Sequence, residues 1–246
     1  MRRKLAVVFL GLSVRATMTP PLFAQQLPAQ SQTTNTETIR FAPGGLIRVE
    51  HSYGDLSIDG WDRPEVEVTV IKSLPYGYKL QQPQEATKHL DRIQVVTERT
   101  SDTELMISTS YKSKDDVMLE YRIHAPQDSK LVIHNGPGSV IVSDITGNIE
   151  ATGRRGDLVL MLPEQLTYTI DAKTKLGTIV SDFEGHSRKH HLTGRAFTNA
   201  TESASRSLRL RMGYGGISIK AAPARPTGDQ TTVPVSPNET SGISEK

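Results

Sequence analysis

Paired aspartates are the residues of this sequence whose spacing could do chemistry. Glycoside cleavage needs two carboxyl groups about 5–9.5 Å apart. Asp144 and Asp182 each end a copy of IVSD, while Asp55 and Asp157 each follow a glycine. If the two IVSD copies lay two strands apart, their carboxylates would be roughly 9–10 Å apart. We favour a structural role, in which these aspartates accept hydrogen bonds from backbone amides at strand ends, and assign no catalytic residue.

Histidines cluster once, in the tract GHSRKHHL, where His186, His190 and His191 could bind a transition metal weakly. Arg188 and Lys189 interrupt this tract and would repel a cation, and no H-E-x-x-H spacing is present. A solvated loop is therefore predicted. The absence of cysteine excludes disulfides, a thiol nucleophile and cysteine-ligated zinc. No metal site and no cofactor site is assigned.

The sequence does not support three other kinds of site, namely a site at His51 or His124, a calcium site and a phosphate loop. His51 shares the alternation of a strand and is predicted to lie at its end, whereas His124 falls on the polar side of its strand. Calcium-binding β-rolls need an aspartate two residues after a glycine, where this chain has Val140. The glycine-rich residues 213–216 lack the lysine and helix of a phosphate loop, so a strand corner is predicted there.

A row of arginines is the last candidate. In residues 208–212 apolar side chains alternate with Arg209 and Arg211, which places both arginines on the exposed side of one strand, with Arg206 nearby. Such a row could grip an acidic glycan by bidentate contacts, but a solvated face that prevents edge pairing is the simpler interpretation. Trp61 follows a strand, where it could stack on a sugar, although covering the core is its favoured role.

Strand patterns dominate the elements that must position these residues. Apolar and polar residues alternate around 47–51, 66–70, 105–111 and 117–123, and this period of two predicts half-buried strands. The one helix predicted covers about 83–92, where a proline begins a polar stretch. The chain is therefore predicted to be almost entirely β.

A short glycine-led repeat is the most informative pattern. Each unit is a glycine, a small or polar residue, an aliphatic residue, any residue and a second aliphatic residue. Copies begin at Gly54, Gly138, Gly156, Gly177 and Gly216, with a half-step copy at Gly147. Intervals of 18 and 21 residues separate the copies at 138, 156 and 177, and such an interval suits one coil of a stacked β structure with glycine corners.

We predict a β-solenoid-like stack of short strands, forming a single domain over residues 39–220. Each coil would bury its apolar side against its neighbours, because no coil can bury that side alone. An antiparallel β-sandwich or meander is the alternative, since glycine turns recur at similar spacing in those folds.

Three stretches, taken in order, resemble a known bacterial family. They are VEHSYGDLSIDGW (49–61), YRIHAPQDSKLVIHNGPGSVIVSDITGNIEATGRRGDLVL (121–160) and LRLRMGYGGISI (208–219). Tandem G-x-[IV]-x-[IV] strands, ending in a leucine-alternating strand and G-x-I-x-I, are similar to the bacterial "putative adhesin" family, a domain of unknown function in exported and envelope proteins. The resemblance spans about 46–220. It implies a β-solenoid-like fold and a cell-envelope location, and it carries over no catalytic residue.

The ends of the chain predict export. Residues 1–24 begin with MRRK, continue with a largely apolar run of ten residues (5–14) and reach Ala24, which is typical of a cleaved signal peptide, and the run is too short for a membrane span. Residues 25–38 are predicted to be a flexible linker and residues 221–246 a disordered tail, because both are polar and low in complexity. No later stretch predicts a transmembrane segment.

The charge balance limits the partners. The chain has 29 basic and 27 acidic residues. Four of the 29 basic residues lie in the predicted signal peptide, which leaves 25 basic and 27 acidic residues after its removal. Nucleic acid is therefore not predicted as a partner.

These patterns together predict an exported, non-enzymatic binding, adhesion or scaffold module of the bacterial cell envelope, either periplasmic or at the cell surface. An envelope protein or a glycan is the expected partner. A polysaccharide lyase or hydrolase, and an envelope-stress sensing or assembly component, are the alternatives.

Overall fold

Alternating sequences fold here into strands throughout. A computed structural model of the chain describes residues 32–51, 53–75, 83–109, 117–190, 193–199 and 204–223. The strands are β1 (Gln32–Arg40), β2 (Leu46–His51), β3 (Asp55–Trp61), β4 (Glu65–Ser73), β5 (Val95–Ser101), β6 (Glu104–Thr109), β7 (Met118–Pro126), β8 (Lys130–Pro137), β9 (Val140–Ser143), β10 (Ile149–Arg155), β11 (Leu158–Pro163), β12 (Tyr168–Leu176), β13 (Ile179–Ser181), β14 (His186–His190), β15 (Gly194–Thr198), β16 (Arg206–Tyr214) and β17 (Ile217–Ala222). The helix in these ranges is α1 (Pro83–Asp91), which confirms the predicted helix. The predicted signal peptide and the tail from residue 224 onward lie outside the described residues.

The strands form two large mixed sheets. Sheet A has eight strands in the order β1-β4-β7-β3-β9-β11-β17-β13, and sheet B has nine in the order β14-β15-β12-β16-β10-β8-β2-β6-β5. The central strands of both sheets pair in parallel, while antiparallel pairs such as β1–β4, β5–β6 and β14–β15 stand at the ends. The all-β prediction is confirmed. Within the described ranges, no helix is long and apolar enough to cross a membrane.

The chain passes repeatedly from sheet B to sheet A through a glycine. We call one such pass, a strand of sheet B followed by a strand of sheet A, a coil. The described residues form five coils around glycine corners: β2–β3, β8–β9, β10–β11, β12–β13 and β16–β17. In the second strand of each coil, the first aliphatic residue of the repeat lies level with its counterparts, namely Leu56, Val140, Leu158, Ile217 and Ile179. All five contribute to, or pack against, one core.

The coils do not stack in sequence order. Coil β16–β17 lies between β10–β11 and β12–β13, so the last coil in the sequence is fourth in space. Leu208 of β16 pairs in parallel with Ile149 of β10 on one side and with Ile170 of β12 on the other. The prediction that consecutive coils lie one over the next is therefore wrong at this point. Strands β14 and β15 follow β13 and pair antiparallel beside β12 before the chain returns.

The corner glycines are aligned, with one shift from the predicted repeat. Gly215, not Gly216, occupies the corner of the last coil, with a φ of +136°. A Cβ on Gly215 would lie 1.7 Å from the carbonyl oxygen of Gly156 in the neighbouring coil. Because L-residues rarely adopt this φ and the backbones nearly touch, only glycine fits.

The predicted strand faces agree with burial. Every second residue from 66 to 70 and from 117 to 123 points into the core, as do those at 47, 49, 105 and 107, which agrees with the predicted alternation. Helix α1 precedes Ile93, whose side chain is buried and whose carbonyl oxygen accepts a 2.6 Å hydrogen bond from the buried Nζ of Lys72. This bond ties the helix end to sheet A.

The predicted linker and tail boundaries need correction. Residues 32–38 belong to β1, which pairs along its whole length with β4. Most of the side chains of β1 are exposed, so its polar sequence suits an edge strand held by backbone hydrogen bonds. Residues 221 and 222 likewise continue β17.

Candidate functional site

The aspartates that follow corner glycines are bound to backbone. Asp55 Oδ1 accepts a 2.9 Å hydrogen bond from the amide of Ser139, and Asp157 Oδ1 accepts a 2.8 Å bond from the amide of Gly216. In both cases the carboxylate links one coil to the next. These contacts agree with the structural role that the sequence predicts for Asp55 and Asp157.

Asp144 and Asp182 do not form a pair either. The two IVSD copies are out of register by one residue, because Val140, rather than Ile141, lies level with Ile179. Strands β9 and β13 are also three strand spacings apart in sheet A, which is roughly 14 Å. The register shift contradicts the equivalence of the two IVSD copies, and the three spacings contradict the expected two-strand separation. Asp182 accepts a 3.2 Å hydrogen bond from the amide of Ala221, a structural contact.

The histidine tract is a strand and not a loop. Residues 186–190 form β14, the edge of sheet B, and the side chains of His186, Arg188 and Lys189 are exposed. The prediction of a solvated loop is wrong in its backbone and right in its exposure. His191 lies outside the described residues. Among the residues that the structure describes, no group of three or more His, Asp or Glu side chains could hold a metal ion.

His51 faces the core at the end of β2, as predicted, and is 3% exposed. Its ring meets that of Tyr121 edge to face, with 4.2 Å between centroids. Burial lowers the pKa of His51 to about 4, although the Gly54 backbone and the Asp55 carboxylate act in the opposite direction. His51 is therefore neutral near pH 7 and contributes to packing.

Trp61 lies on the outer face of sheet A and does not cover the core. Its ring stacks on His124 at 5.1 Å between centroids, and the Arg63 guanidinium lies 4.9 Å from its centroid. Its Nε1 donates a 2.8 Å hydrogen bond to the carbonyl oxygen of Glu65. Because protein groups already pack on this ring, Trp61 is a poor platform for a sugar.

A cluster of basic side chains forms the candidate site on the outer face of sheet B. It lies on β12, β16 and β10, which are adjacent and parallel. Three outward residues of each strand make a three-by-three array: Asp171, Lys173 and Lys175 on β12, Arg209, Arg211 and Gly213 on β16, and Glu150, Thr152 and Arg154 on β10. We call this array the basic face.

Charge changes along the basic face towards the glycine corners. In the first row Arg209 lies between Asp171 and Glu150, so opposite charges are adjacent. The two remaining rows hold four basic side chains and no acid: Lys173, Arg211, Lys175 and Arg154. The end of the face next to the corners is therefore strongly positive.

Arg211 is the fixed cation of the basic face. Its Nη2 lies 2.5 Å from Asp171 Oδ2, and its Nη1 donates to the carbonyl oxygens of Asp171 at 2.7 Å and Leu210 at 2.9 Å. Burial alone would raise the pKa of Asp171, but the hydrogen bond and charge of Arg211, together with Lys173, lower it below its ordinary value. Asp171 thus stays ionised and holds the guanidinium in place.

Lys175 and Arg154 are the available cations. Neither forms an ion pair with a described residue, and both are exposed. Gly213 lies between them, and a Cβ there would sit 2.5 Å from the Arg154 carbonyl oxygen. The missing side chain leaves a groove of about 310 Å³ that is lined by Lys173, Lys175, Arg211 and Gly213, among others. An anionic group could enter this groove and meet cations from two strands.

Sequence reasoning found part of this cluster. Arg209 and Arg211 were predicted on one exposed strand face, but Arg211 is half buried and tied to Asp171. Arg206 is not part of the row, because its Nε donates a 2.7 Å hydrogen bond to the carbonyl oxygen of Thr146. Lys173 and Lys175 were missed, although their alternation within DAKTKL placed both on one side of a strand.

Known proteins give only distant likenesses. No family model and no curated protein matches this sequence. A crystal structure named "putative cell adhesion protein", from Clostridium sporogenes, matches 77% of this chain and 100% of that chain, with 14% identity and a TM-score of 0.45. A "putative adhesin" from Bacteroides fragilis matches 76% and 96%, with 11% identity and a TM-score of 0.35. A "putative lipid binding protein" from Parabacteroides distasonis matches 77% and 82%, with 11% identity and a TM-score of 0.24. Likenesses this weak assign no function.

Proposed function

We propose that this protein is a non-enzymatic binding module of the bacterial cell envelope, and that its basic face binds an acidic polymer. The observation that carries the proposal is the groove at Gly213, which Lys173, Lys175 and Arg211 line, with Arg154 level with Gly213 on the neighbouring strand β10. Cations that line a groove raise the local concentration of an anionic ligand and form charge-assisted hydrogen bonds with it.

The paired strands that carry the basic face favour binding. Each of its three strands pairs with a neighbour on both sides, so the cations are held at fixed strand spacings of about 4.8 Å. A polymer with regularly spaced negative charges can therefore meet several cations without reordering the protein, which limits the entropic cost of binding. We infer that the parallel coils form a short solenoid-like stack with antiparallel strands at both ends.

The carboxylates support binding rather than hydrolysis. Asp55, Asp157 and Asp182 accept hydrogen bonds from backbone amides. Asp171 is the acid of the basic face nearest the groove, and its lowered pKa makes it a weak proton acceptor. The lyase or hydrolase alternative requires that the bound polymer be cut, which we do not expect.

The envelope location rests on the predicted signal peptide at residues 1–24. We propose that the chain is exported and acts in the periplasm or at the cell surface. Fractionation of cells that express the full chain tests this step, and N-terminal sequencing of the product tests cleavage after Ala24. Recovery of the uncleaved chain in the cytoplasm would exclude export.

Binding to a soluble acidic polysaccharide tests the proposed function. We expect polygalacturonate to bind the purified chain at low ionic strength and to be released by salt, because salt screens exposed charges. The double variant Lys175→Glu with Arg154→Glu should bind at least about tenfold more weakly. Lys88→Glu with Arg92→Glu, two exposed charge reversals at and just after helix α1, changes the net charge by the same amount and should bind nearly as the wild type does.

Two results would contradict the proposal. One is equal binding by the double variant and by Lys88→Glu with Arg92→Glu, which carries the same total charge change. The other is a fall in the chain length of polygalacturonate during the assay, which would support the enzyme alternative.

The envelope-stress alternative makes a different prediction. A pull-down from envelope fractions should then recover a dedicated protein partner whose binding does not depend on the basic face.

A further inference from the structure

A second exposed row runs beside the basic face, along the glycine corners. Pro137, Arg155, Tyr214 and Leu176 end the neighbouring strands β8, β10, β16 and β12. Tyr214 is 53% exposed and Leu176 is 45% exposed. Because large apolar surfaces of a folded chain are mostly buried, two adjacent exposed ones at a corner indicate a contact surface.

Between Pro137 and Tyr214 lies a notch of about 330 Å³. It is lined by these two residues and by Arg154 and Arg155. The Arg155 guanidinium lies 5.9 Å from the centroid of the Tyr214 ring, and Arg155 forms no ion pair with a described residue. The notch therefore combines an exposed aromatic ring, a proline and two guanidinium groups.

This combination sets the chemistry of the ligand. The ring and the proline offer apolar contact, which suits the C–H face of a pyranose. A guanidinium is a planar fork that matches a carboxylate with two hydrogen bonds. A ligand that uses both carries a carboxylate on a ring that has an apolar C–H face, as a uronic acid residue does.

We propose that the notch binds one uronic acid residue of an acidic polysaccharide, with its carboxylate on Arg155 and its ring against Tyr214. This inference rests on the proposed function, because the rest of the polymer would continue over the basic face. Arg154 connects the two places, since it lines the notch and its main-chain carbonyl oxygen lies beside Gly213, which lines the groove.

The same row argues against a single-stranded nucleic acid. Proteins that bind such strands stack successive bases on several aromatic side chains. Tyr214 is the one aromatic residue in this row, and its neighbours on the adjacent strands are Arg155 and Leu176. A polymer of phosphates would use the guanidinium groups but gain nothing from the ring.

The test compares two polyanions on three proteins. Polygalacturonate and inorganic polyphosphate, matched in charge per chain, are titrated against the wild type, Tyr214→Ala and Tyr214→Phe. We expect Tyr214→Ala to weaken polygalacturonate binding about tenfold, as loss of an aromatic contact does, and to change polyphosphate binding less than about twofold. Tyr214→Phe keeps the ring and should bind both polymers as the wild type does. Thermal unfolding verifies that each variant is folded.

The outcomes separate this proposal from the one on which it rests. If Tyr214→Ala binds polygalacturonate normally while Lys175→Glu with Arg154→Glu does not, binding at the basic face is supported and the notch proposal is wrong. If Tyr214→Ala weakens both polyanions equally, the notch does not recognise a sugar. If a single-stranded oligonucleotide binds more tightly than polygalacturonate, through Tyr214, the ligand class is wrong. If neither polyanion binds at low salt, both proposals fail.

Discussion

Coil β16–β17, which stacks out of sequence order, turns at Gly215. Because a second glycine, Gly216, follows it, the requirement for glycine at this corner can be tested by comparing the two positions. Gly215 has a φ of +136°, and a Cβ there would lie 1.7 Å from the Gly156 carbonyl oxygen. At Gly216 a Cβ would meet nothing closer than Asp157 Oδ1 at 3.2 Å, and its φ lies outside the left-handed range. We therefore expect Gly215→Ala to destabilise the fold strongly, and Gly216→Ala hardly at all.

The size of the effect follows from two contributions. Holding alanine in this backbone region costs about 1–3 kcal/mol. The clash also forces apart coils β10–β11 and β16–β17, which are joined by hydrogen bonds from the Gly156 amide to Tyr214 at 3.0 Å and from the Leu158 amide to Gly216 at 3.0 Å, each worth about 0.5–1.5 kcal/mol. The total of about 2–6 kcal/mol is a large part of a typical unfolding free energy of about 5–15 kcal/mol.

Thermal and urea unfolding, followed by circular dichroism, measure this difference. For a chain of this size, we expect the Tm of Gly215→Ala to fall by about 5–20 °C. Gly216→Ala should stay within about 1 kcal/mol of the wild type, because other corners carry aspartate, serine or threonine at the equivalent place. Equal stability of the two variants would show that the corner does not require glycine, and the proposed stacking at the corner would be refuted.

Three further predictions concern charge. The unfolding free energy should fall by about 3 kcal/mol as pH drops from 6.5 to 4, because the unfolded chain binds a proton at His51 that the folded chain, with its pKa near 4, does not; urea titrations should show this slope, and His51→Phe should lack it. Asp157→Ala should cost about 1 kcal/mol in urea unfolding through its bond to Gly216, while Asp157→Asn keeps an acceptor. Asp171→Asn should cost at most about 1 kcal/mol, since the Arg211 pair is partly exposed, and should strengthen polygalacturonate binding, because it removes a negative charge beside Lys173 and Arg211; weaker binding would contradict this expectation and show that binding depends on Asp171 holding Arg211 in place.

Local alternation predicted the strands because burial of one side is a local property. In 66–70 and 117–123 every second residue is apolar, and those residues are the buried ones. The glycine repeat likewise located most corners, since a sharp turn between parallel strands requires a backbone that other residues cannot adopt. Strand β1 escaped prediction because an edge strand needs few apolar side chains, and its sequence has few.

The repeated tetrapeptide IVSD led to a wrong prediction because the strand register is set by the glycine corners. The shared letters IVSD suggested that Asp144 and Asp182 were equivalent, yet the corners at Gly138 and Gly177 set the register and leave the two copies one residue apart. Since strand side chains alternate, a shift of one residue exchanges the two faces. Val180 is therefore exposed, whereas Val142 is buried.

The basic face could not be predicted because its residues come from three separate segments. The sequence indicates which side of a strand Lys175 or Arg211 occupies, but the neighbour of each strand depends on long-range pairing. Every coil offers its neighbours the same aliphatic ladder, so the apolar pattern fits several stacking orders equally well. Alternation alone therefore did not identify which coils touch.

The insertion of the last coil is what builds the candidate site. If the coils were stacked in sequence order, β12 would lie beside β10, and Lys175 would adjoin Arg154 with no glycine between them. With β16 in place, Gly213 opens the groove between the two cations, and Tyr214 comes to lie beside Arg155. Groove and notch thus arise from one topological feature, so a variant that prevents β16 from inserting should lose binding at both.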